Sequence, residues 1–340
     1  MTILKNAVLT GTDVSALPGG QLVNNICRPA VRLIRNSSFV VATRGTTFNP
    51  AIAADGASEQ YAHTLTGWRV HRNGPQVVNA DQFKAEDAAS PLKSSLPRGM
   101  AISWYGTAGA DYFTTLEQVR FDVETVAGQL AQLAVSGFIK DAGTTRTMIA
   151  EAVVIEGNGT ISKSLSNPFT LTDTETTQMV SLSIPPILGK NPLGSDARLV
   201  FRIWLTAGSV QDANITAISK GDGFVTFTGI HDIGMPVQDR VDMLRDCEKY
   251  FIKRTEKVYF SVVGSTDSVN TTCALTLPIS MVKAPVGSQI SMSYLNASAP
   301  PTISNVSQNH ITLLTTATGA VVEPGATVLT SITIDLEPLI

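Results

Sequence analysis

Leu199–Leu205 reads LVFRIWL, with Leu199, Phe201, Ile203 and Leu205 facing one way and Val200, Arg202 and Trp204 the other. Successive side chains of a strand point to opposite faces, so this alternation suits a strand with one side in a core. Met148, Ala150, Ala152 and Val154 alternate in the same manner with Ile149, Glu151 and Val153. Leu130–Ile139 and Phe224–Phe227 read as further strands, as do Val258–Val263, Thr272–Val282, Ser288–Tyr294, Ile311–Leu314 and Ser331–Leu336. Turn signals separate them at Asp141–Gly143, Gly157–Gly159, Pro185–Pro186, Gly189–Gly194 and Gly221–Gly223. Many short strands with few helices predict a mainly β protein, a jelly-roll β-sandwich rather than a parallel α/β fold. Gly45–Gly56 reads as a long loop, Ala80–Ala89 as a short helix and Ala297–Ser304 as an exposed loop. There is no internal repeat, no heptad run and no collagen-like glycine period.

One segment breaks the β pattern. Pro236–Arg254, PVQDRVDMLRDCEKYFIKR, sets Val237, Val241, Leu244 and Phe251 along one stripe, with Cys247 and Tyr250 beside it. Asp239, Asp242, Arg245, Glu248 and Lys249 fall opposite, which predicts an amphipathic helix lying on a sheet. Residues 1–35 differ from the rest, with a break at Leu17–Gly20 and with Arg28, Arg32 and Arg35 at near-helical spacing. Three parts follow: an N-terminal arm over 1–35, a jelly-roll sandwich over 36–235, and the helix with a C-terminal β region over 236–340. The arm is read either as packing on its own domain or as an anchor that docks into a partner.

The chain has 340 residues, 43% apolar and only 16% charged, against a usual charged share of roughly 25%. It can bury a sizeable core, and Ser and Thr fill the polar strand faces. A net charge of −3 argues against nucleic-acid binding, which normally needs a basic face. Met1–Thr10 lacks the pattern of a secretion signal, and no apolar run reaches the ~20 residues of a membrane-spanning helix. Cys27, Cys247 and Cys273 cannot all pair within one chain and read as buried thiols. His63, His71, His231 and His310 share no ligand-like spacing, so neither a metal nor any other cofactor is implied.

Several short words carry a family resemblance. Asn36–Gly45 reads NSSFVVATRG, Thr66–Val70 reads TGWRV, and the helix with Asp-Cys-x-x-Tyr-Phe precedes Leu275–Pro285, LTLPISMVKAP, which reads as an apolar strand. The helix and following strand resemble the C-terminal half of bacteriophage tail-fibre and virion-appendage proteins, Asn36–Gly45 resembles the opening of such modules, and Thr66–Val70 resembles one of their strands. Lys249, Lys283 and Thr66 depart from the commoner residues of that pattern. The resemblance implies a virion location and a homotrimer held to other virion proteins through the N-terminal arm. It also implies that residues 115–207 form a carbohydrate-binding-like jelly roll serving host attachment. It carries over no catalytic or sugar-contacting residue.

Enzyme motifs are lacking: there is no Gly-x-Ser-x-Gly, no Walker loop, no HExxH and no dinucleotide fingerprint. Glu117, Asp122 and Glu124 sit on one predicted strand as solvated sheet-face carboxylates, Asp122 and Glu124 on one side and Glu117 on the other. Sugars stack their C–H faces on aromatic rings, which leaves two candidate platforms. One is Trp204 with Arg202; the other is Trp104 and Tyr105 with Tyr112, in a Gly-rich setting. Burial between sheets or subunits is the alternative for each, and Trp68 reads as core. The expected function is therefore a non-enzymatic structural protein of a phage tail fibre or appendage that contacts host-surface carbohydrate. A capsid decoration or head-fibre protein with a purely structural role is the alternative, and a polysaccharide hydrolase the third class.

Overall fold

A computed structural model describes residues 32–54, 59–84, 98–106, 112–187, 196–208, 215, 217–235, 240–254, 258–260, 269–277, 279–281, 284–295, 302–317 and 327–336. The first strands are β1 (Thr47–Ile52), β2 (Gln60–His63), β3 (Arg69–Asn73) and β4 (Val77–Lys84). Next come β5 (Arg98–Tyr105), β6 (Phe113–Arg120), β7 (Leu130–Phe138) and β8 (Thr145–Ile155). They are followed by β9 (Ile161–Leu165), β10 (Phe169–Thr172), β11 (Thr176–Ser183), β12 (Arg198–Ala207) and β13 (Gly223–Asp232). β1-β4-β5-β13-β7-β11 form a six-stranded sheet, and β10-β8-β12-β6-β3-β2 with β9 a seven-stranded one. From β6 onward the chain crosses repeatedly between the two sheets, which is the jelly-roll connection.

The core lies between the sheets, as the alternation requires. Ala150, Ile203, Leu116 and Val70 stand in register across β8, β12, β6 and β3, all fully buried. Opposite them, Met100–Phe227 and Ile102–Val225 form register pairs between β5 and β13. Trp68 is core, its ring against Phe39 and Phe201. Leu33 and Ile34 belong to the same core, so residues 32–35, assigned to the arm by sequence, are part of the sandwich. The rest of that arm lies outside the described residues.

A short helix, α1 (Arg240–Glu248), links the sandwich to a second β unit. That unit has β14 (Phe251–Arg254), β15 (Val258–Phe260), β16 (Val269–Thr276) and β17 (Ile290–Leu295), then β18 (Thr302–Val306), β19 (His310–Ala317) and β20 (Thr327–Asp335). β20 pairs with β14, β15 and β17, while β16-β19-β18 form a separate sheet. Ile252, Ile290, Ile311, Leu313, Ile332 and Ile334 make a second core between them.

Several sequence expectations are corrected. The helix stops at Glu248, and Phe251 opens a strand rather than closing the helical stripe. Its buried face is Met243 and Cys247, packed on Val41, with Leu244 half-buried and Val241 54% exposed. It therefore covers the loop before β1 rather than a sheet face. Gly45–Gly56 contains β1, and residues 80–84 of the expected helix belong to β4. Leu275–Pro285 leaves the strand after Thr276; Leu277 and Met281 then hang from the backbone of Asn309 and Gln308 and point into the second core. β6 ends at Arg120, so Asp122 and Glu124 lie beyond it, Glu124 in a tight turn.

Candidate functional site

The expected aromatic platforms do not assemble. Trp204 does face away from the sandwich core, but it is only 6% exposed, under Ile215, Ile218 and Phe113. Its indole Nε1–H donates to Glu151 Oε2 at 3.0 Å. Trp104 lies on the other sheet, 1% exposed, its Nε1–H donating to the Gly221 carbonyl at 3.0 Å. The Tyr112 hydroxyl accepts from Gly221 N at 3.2 Å. Tyr105, 48% exposed, is the most open of the four rings, with Tyr112 half-buried. Trp104 and Trp204 are thus structural, and a ring buried on both faces cannot stack on a sugar.

Around Trp204 the outer face of the seven-stranded sheet carries a buried ladder of charge. Register places Glu151, Arg202, Glu117 and Arg69 side by side on β8, β12, β6 and β3. Glu117, expected to be solvated, is fully buried. Arg69 donates to its Oε2 from Nε at 3.0 Å and Nη2 at 2.8 Å. Its Oε1 lies 2.9 Å from His71 Nδ1 and 3.0 Å from Arg202 Nε, and accepts from the Thr115 hydroxyl. Arg202 also reaches Glu151 Oε2 at 3.2 Å, so it is an ion-pair strut. Burial alone would raise the Glu117 carboxyl; the Arg202 charge, the His71 hydrogen bond and the Arg69 charge together hold it well below the usual carboxylate range.

Three of the four words that carried the resemblance meet beside α1, where the two β units join; the fourth, Leu275–Pro285, lies in the second unit. Asn36 adopts φ +48°, a left-handed conformation that asparagine tolerates. Its side-chain amide donates to the Val41 and Thr66 carbonyls, both at 2.8 Å, and accepts from Val41 N at 2.9 Å. Phe39 folds back beneath it, and Trp68 Nε1–H donates to the Asn36 carbonyl at 3.3 Å. Gly67, at φ +85°, lets this loop pass under the helix, 3.8 Å from Cys247 Sγ as a Cβ would lie. Arg44 crosses to the second unit, donating to both Asp335 oxygens at 2.5 and 2.7 Å while its guanidinium lies 3.8 Å from the Phe251 ring centre.

On the other side of α1 the joint is polar. Arg35 stacks on the Tyr250 ring at 3.5 Å and donates to the Val119 carbonyl. Burial pushes the Tyr250 hydroxyl up to about 12, so it stays protonated and donates to Asp122 Oδ1 at 3.0 Å. Asp122 is raised by burial but brought down to about 2 by the hydrogen bonds and charge of Arg120 and by the Tyr250 hydroxyl. Arg120 also donates to the Arg32 and Leu33 carbonyls. A cavity of about 360 Å³ opens here. Sequence reading missed it because its walls come from residues 32–35, the end of β6 and the turn after α1.

No protein-family model matches the chain, and no curated protein matches it. Among solved structures, a family 11 carbohydrate-binding module from Clostridium thermocellum, in complex with a mixed-linked tetrasaccharide, is 11% identical. It superposes with a TM-score of 0.32 over 54% of this chain and 100% of the module. The CBM22-1 xylan-binding domain from Paenibacillus barcinonensis is 14% identical, with a TM-score of 0.30 over 55% of this chain and 99% of that domain. A C-terminal family 22 module from Clostridium thermocellum gives 12% and 0.31, over 52% and 91%. The jelly-roll description rests on this chain's own strand order.

Proposed function

We propose that this chain is a non-enzymatic structural protein of a bacteriophage virion, a component of a tail fibre or appendage that contacts host-surface carbohydrate. The observation that carries the reading is the convergence of three of the four family-like words beside α1. Arg44, Tyr250 and Phe251 fasten the second β unit to the sandwich, while Asn36, Phe39, Trp68 and Cys247 build the paired loops packed beneath α1 beside that joint. Their roles are mechanical, which suits a part that must hold its shape between a particle and a cell surface. The most demanding chemistry on the sandwich, the Glu117–Arg202 ladder, is equally committed to holding strands together.

In this reading the residues before Arg32 attach the chain to neighbouring virion proteins, and three copies associate. Gold-labelled antibodies raised against the purified chain, applied to intact particles, test it. Label on the tail or its fibres is the expected result, with light scattering reporting a trimer of the purified protein. Label on the capsid would favour a decoration protein. Particles without the chain would end the virion reading.

A further inference from the structure

Among the described residues, the cavity at the joint is lined by four basic side chains, Arg32, Arg35, Arg120 and Lys249, and by two carboxylates, Asp122 and Asp246. Both carboxylates are engaged, Asp122 by Arg120 and the Tyr250 hydroxyl, Asp246 by Lys249 at 2.9 Å. Arg35 and Arg120 are 3% and 7% exposed and fixed by backbone carbonyls, so their charges are held in place before any ligand arrives. The space, about 360 Å³, would hold on the order of ten waters at roughly 30 Å³ each, far more than a bare oxyanion needs.

Met235 lines both this cavity and a second one of about 140 Å³, to which Leu33, the neighbour of Arg32, also contributes. Among the described residues, none that lines this one is basic. Gln129, Gln132 and Asp232 supply amide and carboxylate groups, and Leu33, Ala131 and Ile184 supply apolar wall. Planar polar groups beside apolar surface are what a sugar ring with hydroxyls on its rim requires.

We infer that the two cavities are one binding site for a short acidic saccharide, its carboxylate or phosphate ester in the basic cavity and an uncharged neighbouring sugar against Gln129 and Gln132. This rests on the carbohydrate contact proposed above and gives that contact a place. Oxyanions form charge-assisted bonds with guanidinium and ammonium groups, which distinguishes an acidic sugar from a neutral one at this position.

Calorimetric titration of the full chain tests the site, with cellobiouronic acid, maltose 1-phosphate, maltotriose and inorganic phosphate as probes. At least one of the two acidic sugars should bind saturably, less tightly at high salt, and which one does identifies the anion. Arg32→Ala and Lys249→Ala should each weaken that binding about tenfold, the loss of one charge-assisted bond, with the melting temperature unchanged. Gln132→Ala, on an exposed strand position, should weaken whichever acidic disaccharide binds and leave inorganic phosphate unaffected. The inference falls if neither acidic sugar binds, if maltotriose binds as well as they do, or if inorganic phosphate alone binds as tightly. It also falls if the basic-residue variants bind like the parent. Failure here leaves the virion location untouched, and absence of the chain from particles leaves these titrations untouched.

Discussion

Glu117 sits where four strands contribute to one buried charge cluster, and its removal should be among the costliest single changes in the sandwich. Taking away one partner of a buried ion pair strands the other charge in a poor solvent, which typically costs about 3–5 kcal/mol. Here Arg69 and Arg202 both lose it, with His71. Glu117→Ala should therefore destabilise by at least that much in urea unfolding, and a change below about 1 kcal/mol would mean the cluster is solvated. Trp204 behaves similarly. Its ring is packed and its N–H is committed to Glu151, so Trp204→Ala should cost about 3–5 kcal/mol. Carbohydrate binding measured on folded protein at low temperature should not change. The cluster was hidden in the sequence because a lone Glu on a strand reads as a solvated face, and its partners on β3, β8 and β12 are set by register alone. The alternation correctly turned Trp204 and Arg202 away from the core, but alternation is silent on whether a second layer covers that outward face.

Among elements, α1 shows how much a period can mislead when it is sampled over two turns. Nine residues are too few to fix the phase of an apolar stripe, and the strand residue Phe251 was counted as a third turn. The buried pair is Met243 and Cys247, one helical turn apart, on Val41. Met243→Ala should accordingly cost about 2–5 kcal/mol and Leu244→Ala less, since Leu244 is only half-buried. Val241→Ala should stay within about 0.5 kcal/mol. An equal loss at all three positions would restore the Val241–Leu244 face expected from sequence. The long strands of the sandwich were legible for the opposite reason. Each has one face against an apolar core over eight or more residues, so β7, β8 and β12 repeat their period often enough to be recognised. Leu275–Pro285 was not, because its apolar residues fill the second core from irregular backbone rather than from one strand face.

At the scale of the whole molecule, stability depends on how the chain enters the sandwich and how the second unit is fastened to it. Leu33 and Ile34 are in the core, and their amides donate to the Asp232 carboxylate at 3.0 Å. A chain beginning at Arg32 should keep a cooperative melt, whereas one beginning at Asn36 should melt at least several degrees lower, a loss of two buried apolar side chains and a paired backbone. Equal melting of the two would return residues 32–35 to the arm. The joint itself makes a pH-dependent contribution. Asp122 titrates at about 2 when folded and near 3.9 in an unfolded chain. A carboxyl with a depressed folded value stabilises the ionised folded state, by about 2 kcal/mol here with part of the side chain open to solvent. That stabilisation is complete above about pH 4 and is lost as pH falls toward 2. Glu117 adds a contribution of the same sign, while Asp232, pushed up by burial, opposes it, so the total acid profile does not isolate the joint. The difference between the parent and Asp122→Asn does. Asp122→Asn should be less stable by about 2 kcal/mol at neutral pH, and the gap should close between pH 4 and 2. A gap that persists unchanged at pH 2 would show that Asp122 fastens the joint by shape and neutral hydrogen bonding rather than by its charge.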